Sequence, residues 1–347
     1  MIRGADMKKT DYLPSGRGAP PRLASSAGQA DHAPLLTSGL SVAILSDETG
    51  WHTSRLRRAL QARGCTARCV DLADCRFDSR WAPHGLVIPG FGRRLPDAAI
   101  VRGIAGGSFE QVTLRLGILH ALRECGVPVY NDARAIERSV DKSMTAFLLH
   151  RAGIPTPPTW TSESSAQAQR VWIRETAAGH ELVLKPLFGS QGKGLQRIGA
   201  HADGPVPLPS LAGYGKVAHL QRFVPSACVP GFDWRILVVG GQAVAAMKRI
   251  SEDWVHNAAQ GAHCVADDPP DAIKRLAERA CAVIGLDYGG VDLIPAADSV
   301  DGALVLEVNG VAAWRALQGV TPIDIAGLLV GDLLDRKLPA FQREQRA

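Results

Sequence analysis

The chain has 347 residues, 46% of them hydrophobic and 21% charged, with a net charge of +5. That is enough chain for two or three packed subdomains, and no apolar run is long enough for a membrane-spanning helix. The mild, scattered excess of Lys and Arg suits anionic small substrates and lacks the dense basic face that nucleic-acid binding requires.

Residues 1–38 are rich in Gly, Ala, Ser and Pro, show little periodicity and lack the compact apolar core of a secretory signal, so they are predicted to form a disordered extension, with Met7 an alternative start. Residues 41–46 are a short apolar run and predict a buried strand; residues 53–63 predict a helix with Leu56, Ala59 and Leu60 on one face and Gly64 as its stop. Strands follow at 66–70 and 85–88, and a long amphipathic segment over 109–124 leads to Val127-Pro-Val-Tyr130. This alternation predicts a small parallel α/β subdomain over residues 40–130. Residues 131–140 lead into a helix over 141–150 that Asp141 caps and Gly153 ends, with Pro155, Pro157 and Pro158 preventing a restart. Strand patterns then dominate: 182–184, 195–198, 218–224, 234–239 and 243–250, the last two joined by a Gly240-Gly241 hairpin turn. A helix over 271–284, strands at 290–294 and 303–308, and a closing helix over 323–334 complete the chain, which has no internal repeat.

The seven cysteines (Cys65, Cys69, Cys75, Cys125, Cys228, Cys264 and Cys281) are odd in number and contain no Cys-x-x-Cys pair. They argue against a disulfide framework or structural zinc and for reduced thiols in a cytoplasmic protein.

Two stretches carry chemistry. The strand ending at Lys185 runs into a loop containing Gly189, Ser190, Gln191, Gly192 and Gly194, and another strand follows. Glycine lets backbone N–H groups approach phosphate oxygens, and a lysine before the loop can bridge phosphates as a point charge. A glycine-rich turn between strands is also an ordinary hairpin, and this one is neither a Walker A motif nor a Rossmann fingerprint, because no helix follows it. The second stretch places Asp292 15 residues before Glu307, with Asn309 two further on. Glu307 and Asn309 share one face of an extended strand, and three oxygen ligands on one sheet face suit Mg²⁺. A polar outer face on an edge strand gives the same pattern, but the apolar neighbours Val291, Leu293, Leu306 and Val308 predict that the opposite face is packed.

Taken together and in this order, these residues resemble the ATP-grasp superfamily. The wording around Asp141-Lys142, Lys185-Pro186, the loop 189–194, Gln221 to Val224, Phe232 to Arg235, Ala245 to Arg249, Asp292 and Glu307-Val-Asn309 resembles the RimK-type α-glutamate ligases, over about residues 100–334. The segment from Val311 to Gln318 is most similar to the tetrahydromethanopterin- and coenzyme-linked branch. The resemblance implies an α+β ATP-grasp fold: a pre-ATP-grasp domain at 40–130, an ATP-grasp domain at 131–337 with a small lid subdomain (about 155–224) and a C-terminal subdomain (about 225–337), and a tail at 338–347. It implies ATP and two magnesium ions, with manganese as a substitute. Lys142 and Lys185 would contact phosphates under the loop 189–194; Gln221, Arg222 and Phe223 would form the hinge against adenine; Asp233 would bind the ribose. Asp292, Glu307 and Asn309 would hold metal. Arg249, His256 and Asn257 would face the phosphates, and Arg235 would bind a substrate carboxylate.

The sequence departs from the family at Arg222, where relatives often carry Glu, after Asn257, where they often carry a basic residue, and after Asn309, where an Asn-x-x-Pro-Gly motif is replaced by Gly310-Val-Ala-Ala-Trp314. The tryptophans read as packing residues, with Trp314 set apart by following the metal-ligand positions directly. Arg55, Arg57 and Arg58 read as a solvated helix face or as a subunit or substrate contact.

The implied reaction joins L-glutamate to a small-molecule carboxylate of pterin or furan type, without nucleic acid or membrane. The alternatives are glutamylation of a protein C-terminus and a nucleotide-binding regulatory protein without turnover. A homo-oligomer is compatible with the family.

Overall fold

The computed structural model describes residues 39–346 except 82, 190, 191 and 227. The extension expected over 1–38 lies outside the described residues.

The chain begins with β1 (Ser41–Leu45), α1 (Trp51–Ala62) and β2 (Thr66–Val70), then a two-strand ribbon of β3 (Arg76–Phe77) and β4 (Leu86–Val87), then β5 (Ala98–Val101), α2 (Phe109–Glu124) and β6 (Val129–Tyr130). Four of these strands form a parallel sheet in the order β2-β1-β5-β6. β1 is apolar throughout because both faces are covered. Val42 and Ile44 pack with Leu56 and Leu60 of α1, while Ala43 and Leu45 pack with Ile118, Leu119 and Leu122 of α2. β2 lies on one side of β1 and β5 on the other, so the chain reverses its winding at the carboxyl ends of β1 and β5. Open α/β sheets place ligand crevices at such points.

Two short helices follow, α3 (Ala133–Val140) and α4 (Lys142–Arg151). Asp141 caps α4 as expected, accepting from the N–H groups of Ser143 and Met144. Next come β7 (Thr159–Ser162), α5 (Ser165–Ala177), β8 (Glu181–Lys185), β9 (Gln196–Gly199) and β10 (Ala218–Arg222), which make an antiparallel sheet ordered β7-β10-β8-β9. Its core is Leu182, Leu184, Ile198 and Leu220 under Ala168 of α5.

The third sheet, ordered β13-β12-β11-β14-β15, is antiparallel throughout. It contains β11 (Gly231–Val239), β12 (Gln242–Ser251), β13 (His263–Ala266), β14 (Tyr288–Pro295) and β15 (Ala303–Asn309), with α6 (Asp271–Ile284) across one face. Gly240 and Gly241 both have positive φ (58° and 82°), the requirement of the tight hairpin turn expected there. α6 has the limits read from sequence: it follows Pro270 and ends at Gly285. Its buried stripe Ile273, Leu276, Ala277, Ala280 and Ile284 packs on Val291, Leu293, Val305 and Val308. The chain ends in α7 (Arg315–Val320), α8 (Ile325–Asp332), a wide turn over Leu333–Lys337 and α9 (Leu338–Glu344). The closing helix thus runs beyond the expected residue 334, and Leu329, Val330 and Leu333 join the α1 side of the parallel-sheet core.

The elements absent from the sequence reading include β5, β7, α5 and β13. β5 is Ala-Ala-Ile-Val, short and half alanine, so it lacks the β-branched signature although it is fully buried. Trp314 is a packing residue, 1% exposed, meeting Trp51 with ring centroids 4.8 Å apart. No disulfide joins the described cysteines.

Asn131 joins the parallel sheet to the third sheet. Its Nδ2 donates to the carbonyls of Tyr288 (2.7 Å) and Gly310 (2.6 Å), and its Oδ1 accepts from the N–H groups of Asp287 (2.6 Å) and Tyr288 (3.0 Å). The side chain is fully buried, so truncating it leaves four backbone groups dry and unbonded. Asn131→Ala is expected to destabilise the protein by about 3 kcal/mol or more, read from chemical denaturation, while Asn131→Gln recovers little because the longer side chain displaces the same bonds.

Candidate active site

The antiparallel sheet of β7–β10 and the third sheet face each other across a cleft that is open to solvent and lined by residues of both. Of the residues singled out in the sequence, Lys185, Gly192, Gln221, Arg222, Phe223, Asp233, Arg249, His256, Asn257, Asp292 and Glu307 line it. Lys142 lines a smaller cavity that shares Lys185, Gln221 and Glu307 with the cleft. Ser190 and Gln191 lie outside the described residues.

Asp292 and Glu307 are direct cross-strand partners on β14 and β15, and Gly290 partners Asn309. One step further the register slips: Leu293 pairs with Val305, so Leu306 is an extra residue in β15. This bulge reverses the side-chain alternation. Val308, Val305 and Ala303 enter the core, whereas Leu306 and Glu307 both line the cleft. The expectation that Leu306 packs beside Val308 is therefore corrected. Without the bulge, Glu307 and Val305 would share a face, and either the carboxylate would enter the core or the valine would leave it.

The charges are arranged in chains. Arg235 grips Asp292 with two N–H groups, the longer contact being 2.8 Å; Arg249 reaches Asp292 at 3.1 Å and pairs with Asp233 at 2.7 and 2.6 Å. Asp292, Asp233 and Arg249 are at most 5% exposed. Buried ions require partners, and these satisfy one another. Burial pushes Asp292 upward, but Arg235 and Arg249 outweigh it and hold the carboxyl below its usual range. Two expected roles are corrected on this geometry. Arg235 does not present a free fork for a substrate carboxylate, and the Asp233 carboxylate is occupied by Arg249 rather than left for a ribose.

Lys142 donates to the Gly189 carbonyl at 2.7 Å and lies 3.6 Å from Glu307, tying α4 to the glycine loop and to β15. Gly192 and Gly194 have positive φ (69° and 73°), and a Cβ on Gly192 would stand 3.0 Å from Val255. The loop therefore needs glycine for its conformation and for its contact with the segment carrying His256. Asn257 lines the cleft, but its Oδ1 accepts from the Ala259 N–H at 2.9 Å and caps a short turn, so that oxygen is not presented to a substrate. Asn309 Nδ2 donates to the Gly290 carbonyl at 3.3 Å.

At the hinge, the N–H groups of Arg222 and Phe223 donate to the Pro158 and Glu181 carbonyls at 2.8 and 2.9 Å, so neither is free for an adenine edge. The Arg222 side chain pairs with Glu175 of α5, at 2.6 and 3.1 Å. An acid on α5 thus answers the arginine at position 222. Glu175 was invisible to the sequence reading because its partner is 47 residues away. Burial and the charge of Arg249 lower the pKa of His256, keeping the ring neutral at pH 7.

Among the described residues, no group of three or more His, Cys, Asp or Glu is placed to hold a metal ion. The donor set at β14 and β15 is instead two carboxylates and one amide. These are hard oxygen donors of the kind Mg²⁺ takes when nucleotide and water complete its shell, so the residues present fit that ion.

Residues 139–333 match the RimK-like ATP-grasp domain, and residues 40–136 match the RimK PreATP-grasp domain. The chain belongs to the RimK-type ATP-grasp family. It is 30% identical to the tetrahydromethanopterin:alpha-L-glutamate ligase of Methanosarcina acetivorans, over 81% of this chain and 95% of that one. It is also 30% identical to the ribosomal protein bS6–L-glutamate ligase of Salmonella newport, over 87% and 98%. The fold is shared with the ATP-grasp ligase PsnB, solved with a minimal precursor, Mg and ADP (TM-score 0.60, 21% identity, 90% of this chain and 100% of that one). It is shared also with the D-cycloserine synthetase DcsG (TM-score 0.62, 21% identity, 85% and 99%). As a RimK-type ATP-grasp protein the chain is an ATP-dependent ligase that forms carbon–nitrogen bonds. No helix among the described residues is long and apolar enough to cross a membrane.

Lys185 donates to Gln221 Oε1 at 2.6 Å. Burial, and secondarily Lys142, lower its pKa to about 8, against the opposing pull of Glu307 and Asp292. The unfolded lysine titrates near 10.5, so below about pH 8 the folded ligand-free protein carries a charge that its surroundings disfavour. That penalty fades as pH rises from about 8 to 10.5. Lys185→Met is therefore expected to raise the melting temperature of the nucleotide- and metal-free protein at pH 7, with a gain that shrinks as pH climbs through that window. Thermal unfolding in chelator-containing buffers between pH 7 and 10 reads the effect.

Proposed function

We propose that the protein is a magnesium- and ATP-dependent L-glutamate ligase that activates an acceptor carboxylate as an acylphosphate. The observation that carries this reading is the cross-strand pair Asp292 and Glu307 sharing one cleft with Lys185, with Lys142 in the adjoining cavity that shares Lys185 and Glu307. Lys142 and Lys185 take the nucleotide phosphates, with Gly189, Gly192 and Gly194 shaping the flap above them. Phe223 and Leu306 give the base apolar surfaces. Asp292, Glu307 and Asn309 hold two magnesium ions, or manganese in their place, and the metal supplies neutralisation of phosphate charge.

The acceptor carboxylate oxygen attacks the γ-phosphorus, the bond to the bridging oxygen breaks, and ADP leaves. The amino group of L-glutamate then attacks the acyl carbon, phosphate departs, and the nitrogen loses its proton as the amide forms. Arg249 is fixed by two carboxylates and offers positive charge beside the reacting phosphate; Arg235 steadies Asp292. Neutral His256 can accept a hydrogen bond or donate one at the same wall. The flap keeps water from the acylphosphate.

The methanogen relatives support a small-molecule acceptor of pterin or furan type, and the bS6 ligase relatives support a protein C-terminus as the second reading. A coupled ADP-release assay with L-glutamate and both acceptor classes, followed by mass spectrometry, separates them by which product gains a glutamyl residue. Removing Asp292 strands Arg235 and leaves Arg249 with Asp233 alone, so Asp292→Ala is expected to destabilise the chain strongly, by about 3–5 kcal/mol. The informative variant is Glu307→Gln, because Glu307 is only partly buried. It should keep the wild-type melting temperature and lose turnover by about 10³-fold or more at ordinary magnesium. Full turnover in that variant would overturn the metal assignment.

A further inference from the structure

Three arginines ring an aromatic cluster at the carboxyl ends of β1 and β5, away from the residues assigned to nucleotide. Trp51 and His52, in the first turn of α1, meet Trp314 edge-on, each with ring centroids 4.8 Å from it. The Arg55 guanidinium lies 5.3 Å from the Trp51 ring centroid and that of Arg315 6.0 Å from it. Arg102, the residue after β5, donates to the Val311 carbonyl at 3.3 Å. Arg55 and Arg315 thus lie over Trp51, and Arg102 holds the loop that runs on from Asn309 to Trp314.

Their electrostatic state differs from that of Arg235, Arg249 and Lys142 at the nucleotide site, while Lys185, which also lacks a carboxylate partner, is bonded to Gln221. Arg235, Arg249 and Lys142 each have a carboxylate partner. Among the described residues, no carboxylate forms an ion pair with Arg55, Arg102 or Arg315. The nearby acid Asp47 is packed over the backbone of Gly103, where an added Cβ would overlap its carboxylate. Arg55 Nε, Arg102 Nε and Trp314 Nε1 are buried N–H groups without an acceptor, and Trp314 is 1% exposed. Buried donors left dry are costly, and like charges held together without a counter-ion repel. The first turn of α1 adds its own positive end and contains no acidic side chain. Burial, then Arg102 and Arg315, hold the His52 imidazole near 4, so it is neutral and its Nε2 accepts from the Trp314 backbone N–H at 3.2 Å.

A guanidinium fork matches a carboxylate, and the cluster sits at the sheet's winding reversal beside the loop that leaves the metal strand. We propose that Arg55, Arg102 and Arg315 bind the non-reacting carboxylates of the acceptor, so that the acceptor carries at least two carboxylates. This rests on the ligase reading above. An acceptor whose one carboxylate is consumed by phosphorylation would leave these arginines uncompensated.

The test is calorimetric titration of the full chain saturated with Mg²⁺ and a non-hydrolysable ATP analogue. The probes are tricarballylate, as a small polycarboxylate, and a short peptide ending in Glu-Glu, with a Gln-Gln peptide as control. One or both acidic probes should bind, and Arg102→Gln and Arg315→Gln should each weaken that binding about tenfold or more while nucleotide affinity stays within about twofold. Arg315 is exposed, so its variant is expected to fold, and unchanged nucleotide binding certifies the Arg102 variant. Binding of tricarballylate assigns the site to a small molecule; binding of the peptide alone assigns it to a protein terminus. Four results would overturn the proposal: neither acidic probe binds, the Gln-Gln peptide binds equally, the substitutions have no effect, or L-glutamate alone binds with the same arginine dependence. Failure of the wild type to bind the nucleotide analogue would instead strike the ligase reading itself.

Discussion

Asp292 is a carboxylate almost removed from water, and a charge so placed must always have a cation beside it. Arg235 and Arg249 meet that demand without any ligand, and Asp233 in turn balances Arg249. The desolvation of four charged groups is thus borne at folding rather than when substrate arrives, and the negative wall of the cleft is rigid before chemistry begins. The positive wall is different. Lys185 has only an amide for a hydrogen-bond partner, and its burial outweighs the pull of Glu307 and Asp292. Its discomfort is what a polyphosphate relieves, so the cleft is strained toward anions on one side and balanced on the other.

Much of this was legible in the sequence, because the informative signals are local. The helix over 271–284 has an unbroken apolar stripe between proline and glycine; the Lys185 loop and the triple Asp292, Glu307 and Asn309 fall on strands of recognisable period. What escaped was set by partners far along the chain or by a break in period. The bulge at Leu306 cannot be read from alternation because it is where alternation fails. The ion pair of Arg222 with Glu175 and the capture of Arg235 by Asp292 join residues 47 and 57 positions apart. Each side chain, seen alone, looked free to bind something else. β5 escaped for a simpler reason: two alanines in four residues give little strand signal, although its place at the centre of a sheet makes small residues suitable.

The two arginine groups illustrate one rule with opposite outcomes. At the nucleotide site Arg235 and Arg249 each meet an acid within the chain, and their arrangement is complete. Around Trp51 and Trp314 three cations meet none among the described residues, and complete their set with something from outside. Adjacent regions of one fold thus separate the groups that maintain the site from the groups that wait for a ligand.

Asn131 has a mechanical consequence. By bonding the backbone at Asp287, Tyr288 and Gly310, it clamps the parallel sheet to the ends of the two strands that bear the acidic pair. Arginine cluster and acidic pair therefore keep a fixed spacing, like jaws machined from a single block. The sheet of β7 to β10 meets that block near the cleft where Lys142 donates to the Gly189 carbonyl and Gly192 lies beside Val255.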